Sequence, residues 1–234
     1  MPTTKPQTAT AKALDSFGPV QFPAALDFAT WRFERALALG LIPPADIAGT
    51  RWSAAAVQAA LDAKAEIWAA TGTLPDMGAT RAAELLTDRF GIPVDPDVLP
   101  ELARKDLIPR TGYYKGHPLY DGLAIEHFTD RAALDKARHD GQLLTRDRAT
   151  HYLGIRDSDF THLTRAGLLL PAVHVRSSHQ PRRAAPSVPL YRLGDLDVLL
   201  AHPAIDWHAV RATPKGHRSA LARLTEPQKG LQEK

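Results

Sequence analysis

Acid pairs of the form Asp-x-Asp stand at three places in this chain: Asp95-Pro-Asp97, Asp157-Ser-Asp159 and Asp195-Leu-Asp197. Two carboxylates so spaced are met at divalent-metal sites. Each pair here falls at an expected helix start or turn, where an Asp oxygen accepts backbone N–H groups, so capping is the expected role. The ten histidines show no His-x-x-x-His on an expected helix and no Glu partner at zinc spacing. No serine sits in a nucleophile elbow and no glycine-rich phosphate loop follows a strand. Tyr113 or Tyr114 as a recombinase nucleophile would need a larger, arginine-rich catalytic domain. The expectation is a protein that is not an enzyme and uses no metal and no cofactor.

A second kind of chemistry is ionic. The stretch His174-Val-Arg-Ser-Ser-His-Gln-Pro-Arg-Arg183 carries Arg176, Arg182, Arg183, His174 and His179 without one acid. Just upstream, a helix over 158–165 that buries Phe160 and Leu163 leaves Ser158, Thr161, His162 and Arg165 on its open side. Such side chains can reach base edges or phosphates, and a basic flap beside them is suited to clamping a nucleic-acid backbone. The net charge is only +3, yet residues 1–130 hold 12 Lys+Arg against 16 Asp+Glu while residues 131–234 hold 17 against 10. The back half is therefore the expected polyanion-facing part. Arg32 and Arg35 near the front, and Lys115 with Tyr114 in the middle, are further candidate DNA contacts. Asp95, Asp97 and Glu101 make the middle helix a poor surface against phosphodiesters.

The elements that hold these residues repeat. Ala36-Leu-Ala-Leu-Gly-Leu-Ile-Pro43, Leu102-Ala-Arg-Lys-Asp-Leu-Ile-Pro109 and Leu163-Thr-Arg-Ala-Gly-Leu-Leu-Leu-Pro171 recur at roughly 60-residue spacing. Each is followed by an irregular stretch, an aromatic residue (Trp52, Tyr120, Tyr191) and a new apolar-periodic run. Phe33 matches Phe160, Leu26 matches Leu153 and Phe28 matches Ile155. A pair of helices, a hairpin and a further helix is the layout of a winged helix-turn-helix. Ser53 is expected to cap a long helix over 54–70, Thr145 a helix reaching Tyr152, and Asp195 the last helix. Lys115-Gly116 marks the tip of a hairpin.

Leu144-Thr-Arg-Asp-Arg-Ala-Thr-His-Tyr-Leu-Gly-Ile, Phe160, Arg165-Ala-Gly-Leu-Leu and Leu190-Tyr-Arg-Leu-Gly-Asp-Leu-Asp-Val-Leu-Leu together resemble the winged helix-turn-helix of the excisionase and MerR-type superfamily. The resemblance covers about residues 143–202 and weakens through the second and first copies. It implies a second helix in the major groove and a wing on backbone or minor groove. The chain departs from MerR regulators in lacking a long C-terminal coiled coil and cysteines, and from small excisionases in having three copies.

The expected fold is mainly α with short β-hairpins (α+β), as three tandem winged helix-turn-helix modules. A flexible arm (1–18) precedes a degenerate module with a connector helix (19–72), a second module (73–141), the best-formed module (142–208) and a basic flexible tail (209–234). The expected partner is double-stranded DNA, with self-association through the front modules as an additional role. The alternative is a protein-interaction adaptor. No cysteine permits a disulfide, and the opening residues lack an apolar signal core, so a cytoplasmic, nucleoid-associated protein is expected.

Overall fold

The computed structural model describes residues 15–176 and 187–225. One chain order recurs three times: strand, two helices, hairpin or its remnant, helix. It begins with β1 (Ser16–Phe17), α1 (Gln21–Leu26), α2 (Thr30–Ala38) and β2 (Trp52–Ser53), followed by α3 (Ala54–Asp62) and α4 (Lys64–Thr71). It returns as β3 (Met77–Gly78), α5 (Ala79–Phe90), a 3-10 turn at Pro96–Val98, α6 (Leu99–Arg104), β4 (Arg110–Tyr114), β5 (His117–Tyr120) and α7 (Gly122–His127). After α8 (Arg131–Asp140) comes the third round: β6 (Leu143–Thr145), α9 (Arg146–Leu153), α10 (Asp157–Arg165), β7 (Val173–Arg176), β8 (Ser187–Arg192) and α11 (Leu193–Leu200). Then come α12 (Trp207–Ala212) and a 3-10 stretch at Ala220–Thr225. The fold is α+β with small antiparallel sheets.

The sheets share one order. β3-β5-β4 and β6-β8-β7 each place the last strand of the round between the first strand and the outer hairpin strand. In the first round β1 pairs directly with β2, and the outer strand has shrunk to a single bridge between Ile47 and Arg51. The aromatic residues occupy one register position: Trp52 faces Phe17, Tyr120 faces Met77 and Tyr191 faces Leu144. All three rings are buried.

The repeated segments bury the same positions. Phe33, Leu99 and Phe160 are buried on the second helix of each round, as are Ala36, Leu102 and Leu163 one turn later. Ile42, Ile108 and Leu169 follow the helix end and are buried too. Between them the chain must reverse, and Gly40, Asp106 and Gly167 all take left-handed backbone (φ +70°, +55° and +70°). The Leu41 N–H then bonds Ala36 O at 2.9 Å and the Leu168 N–H bonds Leu163 O at 3.1 Å, satisfying carbonyls the helix leaves open. Asp in place of Gly in the second round works because short polar side chains tolerate this backbone region.

By packing, the chain divides into two compact units, Met1–Ala82 with Leu107–Phe128 and Ala83–Asp106 with Thr129–Lys234. The core of the first unit gathers Phe22, Phe33 and Trp52, whose rings meet edge-on at 5.1–5.5 Å, with Leu26, Val57 and Ile67. The second unit's core gathers Phe160 and Tyr191, 5.0 Å apart and nearly perpendicular, with Leu153, Leu163, Leu196 and Leu199.

Several expectations are corrected here. Residues 16–17 of the expected arm form β1, because Phe17 pairs with Trp52. The expected 54–70 helix is parted at Ala63, the C-cap of α3, whose N–H donates to Ala59 O at 3.1 Å. Helix α8, at the end of the span expected for the second module, is packed, with Leu134 and Ala137 fully buried. The described part of the expected flexible tail is ordered: Val210 and Leu221 join the core, and Arg156 Nη1 donates to Pro214 O and His217 O at 2.8 and 3.1 Å. Apolar residues at 210 and 221 give that segment something to bury, which a count of its cations does not register. Asp195 lies in the first turn of α11 and does not cap it; the N-cap is Arg192.

Candidate nucleic-acid interface

Helix α10 owes its placement to a two-sided sequence. Phe160 and Leu163 are fully buried and pin one side into the core of the second unit. Asp159 is also fully buried, yet its carboxylate is saturated. It accepts from Arg156 N, Nε and Nη2 at 3.2, 2.9 and 2.9 Å, and from the Ser219 hydroxyl. Burial by itself raises the Asp159 pKa, but the Arg156 and Ser219 hydrogen bonds and the Arg156 charge outweigh it and hold the carboxyl below its usual range. Asp159 thus closes the start of the helix, as its spacing predicted.

On the opposite side Ser158 and Arg165 are exposed, while Thr161 and His162 are half-buried. The Thr161 hydroxyl is already engaged: it donates to Asp157 O at 3.0 Å and accepts from Arg146 Nη2 at 2.8 Å. Of the predicted reading residues, Ser158 and Arg165 present their polar groups most openly. Sequence alone did not single out Arg146, whose Nε donates to Asp157 Oδ1 at 2.7 Å, or Arg148, exposed on α9. Both lie in the Leu144–Ile155 segment, but residue type does not say which arginine folds back onto a neighbouring helix.

Strands β7 and β8 are paired, and Tyr191 of β8 packs on Phe160 of α10. Val173 pairs with Leu190 and Arg176 with Ser187. His179, Arg182 and Arg183 lie outside the described residues. Arg176 is placed by its backbone, at the end of β7.

The front candidates are relocated. Arg32 is buried (6 % exposed), its guanidinium 3.4 Å from the Trp68 ring centroid and 4.7 Å from that of Trp31, with Nη2 donating to Gly72 O at 2.9 Å. Arg35, only 12 % exposed, donates to Thr71 O, Leu74 O and the Asp76 carboxylate at 2.6, 2.9 and 2.6 Å. Helix α4 ends at Thr71, and the carbonyls around its terminus need donors. Two arginines one turn apart on α2 supply them. They bind their own chain, which corrects the expectation that they are exposed DNA contacts.

Lys115 and Tyr114 do sit at an exposed hairpin tip. Lys115 and Gly116 both have positive φ (+50° and +82°), the backbone a two-residue reversal requires. Tyr113 and Tyr114 are 70 % and 62 % exposed, and Lys115 Nζ lies 5.3 Å from the Tyr114 ring centroid. Glu101, expected on the surface of the middle helix, is instead buried against Arg104, Lys105 and Arg192.

His139, Asp140 and Asp197 bring ligand-type atoms within 4.8 Å of one another, a gathering that sequence spacing does not reveal. Asp140 is already paired with Lys105 and Lys136, and Asp197 accepts from Tyr152 and bonds His139 Nε2 at 2.8 Å. Two ammonium groups therefore stand where a cation would compete for Asp140. Asp95 Oδ1 accepts from Asp97 N at 3.0 Å, a capping bond as expected. No helix among the described residues is long and apolar enough to cross a membrane.

No family model, curated protein or solved structure matches the chain.

Proposed function

We propose that this chain is a sequence-specific, non-enzymatic double-stranded-DNA-binding protein built of three winged helix-turn-helix modules, with the third as the principal reader. The observation that carries this reading is the division of α10. Its inner side is sealed by Phe160 and Leu163, with Tyr191 of β8 packed on the Phe160 ring, and its outer side offers Ser158 and Arg165. Helix α10 enters the major groove, and the basic 174–183 flap lies along backbone or minor groove. In the first round, the two candidate arginines, Arg32 and Arg35, are spent on internal acceptors. The role is a transcriptional regulator or a replication, partition or excision factor of a mobile element.

The test is selection of bound fragments from random duplex DNA by the full chain, followed by affinity measurement between about 50 and 200 mM salt. An enriched motif and a steep loss of affinity with salt are expected. Absence of both refutes the reading.

The second reading, a protein-interaction adaptor, is favoured by the exposed rings of Tyr113 and Tyr114 and by Trp68, 42 % exposed, in the first unit. Co-purification with a partner that survives nuclease treatment, together with salt-insensitive and sequence-indifferent DNA binding, would decide for it.

A further inference from the structure

We propose that Arg146 is a pre-set phosphate anchor that fixes the register of α10 on duplex DNA, with Asp157 and Thr161 serving as its holders. The proposal rests on the DNA-binding reading and adds to it a residue, a ligand group and a division of labour along the helix.

The geometry is one of used and unused donors. A guanidinium has five N–H groups. In Arg146 the Nε hydrogen goes to Asp157 Oδ1 at 2.7 Å, and the two on Nη2 go to Asp157 O at 3.1 Å and Thr161 Oγ1 at 2.8 Å. Nη1 takes no part in these bonds. The guanidinium carbon lies 5.2 Å from the centroid of the buried Phe160 ring, which backs it from the core side. The side chain is nonetheless 39 % exposed. A long cation that would otherwise lose rotamer freedom on binding is already immobilised.

The same count selects the ligand. Reading guanine O6 and N7 takes two parallel N–H groups from two adjacent nitrogens. Nη2 is committed, so Arg146 presents one nitrogen with two hydrogens, which suits a non-bridging phosphate oxygen. The location agrees. Asp157 is an exposed carboxylate (74 %) on the edge of a helix meant for a polyanion, and Arg146 neutralises it. Thr161, predicted from sequence as a reader, spends its hydroxyl on holding Arg146. Ser158 and Arg165 are left as the residues facing base edges, which fits the general rule that phosphate contacts position and base contacts specify.

The experiment uses the full chain and the duplex motif recovered by selection. Arg146→Gln keeps a hydrogen-bonding side chain and removes the charge. It is expected to weaken binding about tenfold on selected and unrelated duplexes alike and to flatten the log-affinity against log-salt slope by about 0.9, with the selected motif unchanged. Arg146→Lys is expected to restore the slope. Should Arg146→Gln fail to fold, as read by circular dichroism, Thr161→Val removes one holder without altering charge. It is expected to lower affinity several-fold on every duplex with the slope intact. An unchanged affinity and slope in the folded Arg146→Gln variant, an unchanged affinity in Thr161→Val, or a loss confined to one base pair, overturns the anchor while leaving DNA binding standing. If the unmodified chain binds no duplex at any salt, the DNA-binding reading fails first and the anchor with it.

Discussion

Arg165→Ala removes an exposed guanidinium from the outer side of α10 and nothing from the core. The expected result is a loss of about 1–3 kcal/mol of preference at one base pair, seen as a relaxed position in the selected motif, with the thermal unfolding midpoint unmoved. Arg35→Ala should do the reverse. That guanidinium donates to two backbone carbonyls and to Asp76, so its removal leaves acceptors without donors. Stability should fall by about 1.5–3 kcal/mol in urea unfolding while duplex affinity stays within twofold. Equal loss of DNA affinity in Arg35→Ala would return the front round to the DNA interface. The two residues are chemically identical, and no pattern of neighbours in the chain separates them. What separates them is that α4 stops at Thr71 within reach of α2.

At the scale of elements, turns and register were the most legible features. The hairpin at Lys115-Gly116 and the Ser53 and Thr145 caps are set by local backbone chemistry, and each is found where the sequence placed it. The aromatic residue that precedes each apolar-periodic run in the sequence holds one register position in the sheets, as Trp52, Tyr120 and Tyr191. Close approaches between distant segments were not legible. Gly122 opens α7 against the chain at 74–75, and a Cβ there would stand 2.3 Å from Pro75 O and 2.4 Å from Leu74 O. Those are backbone atoms that cannot rotate aside. Gly122→Ala is expected to cost about 1–3 kcal/mol in chemical denaturation, whereas Gly112→Ala on β4, where a Cβ meets nothing within 4 Å, should be tolerated. Comparable stability of the two variants would show that the α7 contact is looser than described.

Across the whole molecule, buried and half-buried carboxylates link folding to pH. Asp76, Asp140 and Asp159 are each raised by burial and lowered further by donors: the Gly122 N–H with Thr111 and Arg35, then Lys105 with Lys136, then Arg156 with Ser219. The net direction is down from the usual aspartate range in all three. A depressed carboxylate pKa contributes stability that is complete above the unfolded value and is lost as pH falls through the folded one. The unfolding midpoint should therefore be flat above about pH 5 and drop steeply below about pH 4, and Asp159→Asn should flatten that drop while lowering the midpoint at pH 7. An Asp159→Asn profile parallel to the wild type would remove that residue from the acid response.

The sequence by itself determined the threefold recurrence, the α+β class, the inner side of α10 and the position of the β4–β5 hairpin, because helical period, strand alternation and turn chemistry are properties of neighbours along the chain. Only the tertiary structure decided which cations face outward. Arg32, Arg35, Arg146 and Arg156 each reach groups at least three residues and as many as 61 away, and it reassigned the end of the chain from loose tail to core through Val210 and Leu221. A side chain's partner is fixed by where unsatisfied carbonyls and carboxylates come to rest in space, and that depends on packing between segments whose separation along the chain carries no trace of it.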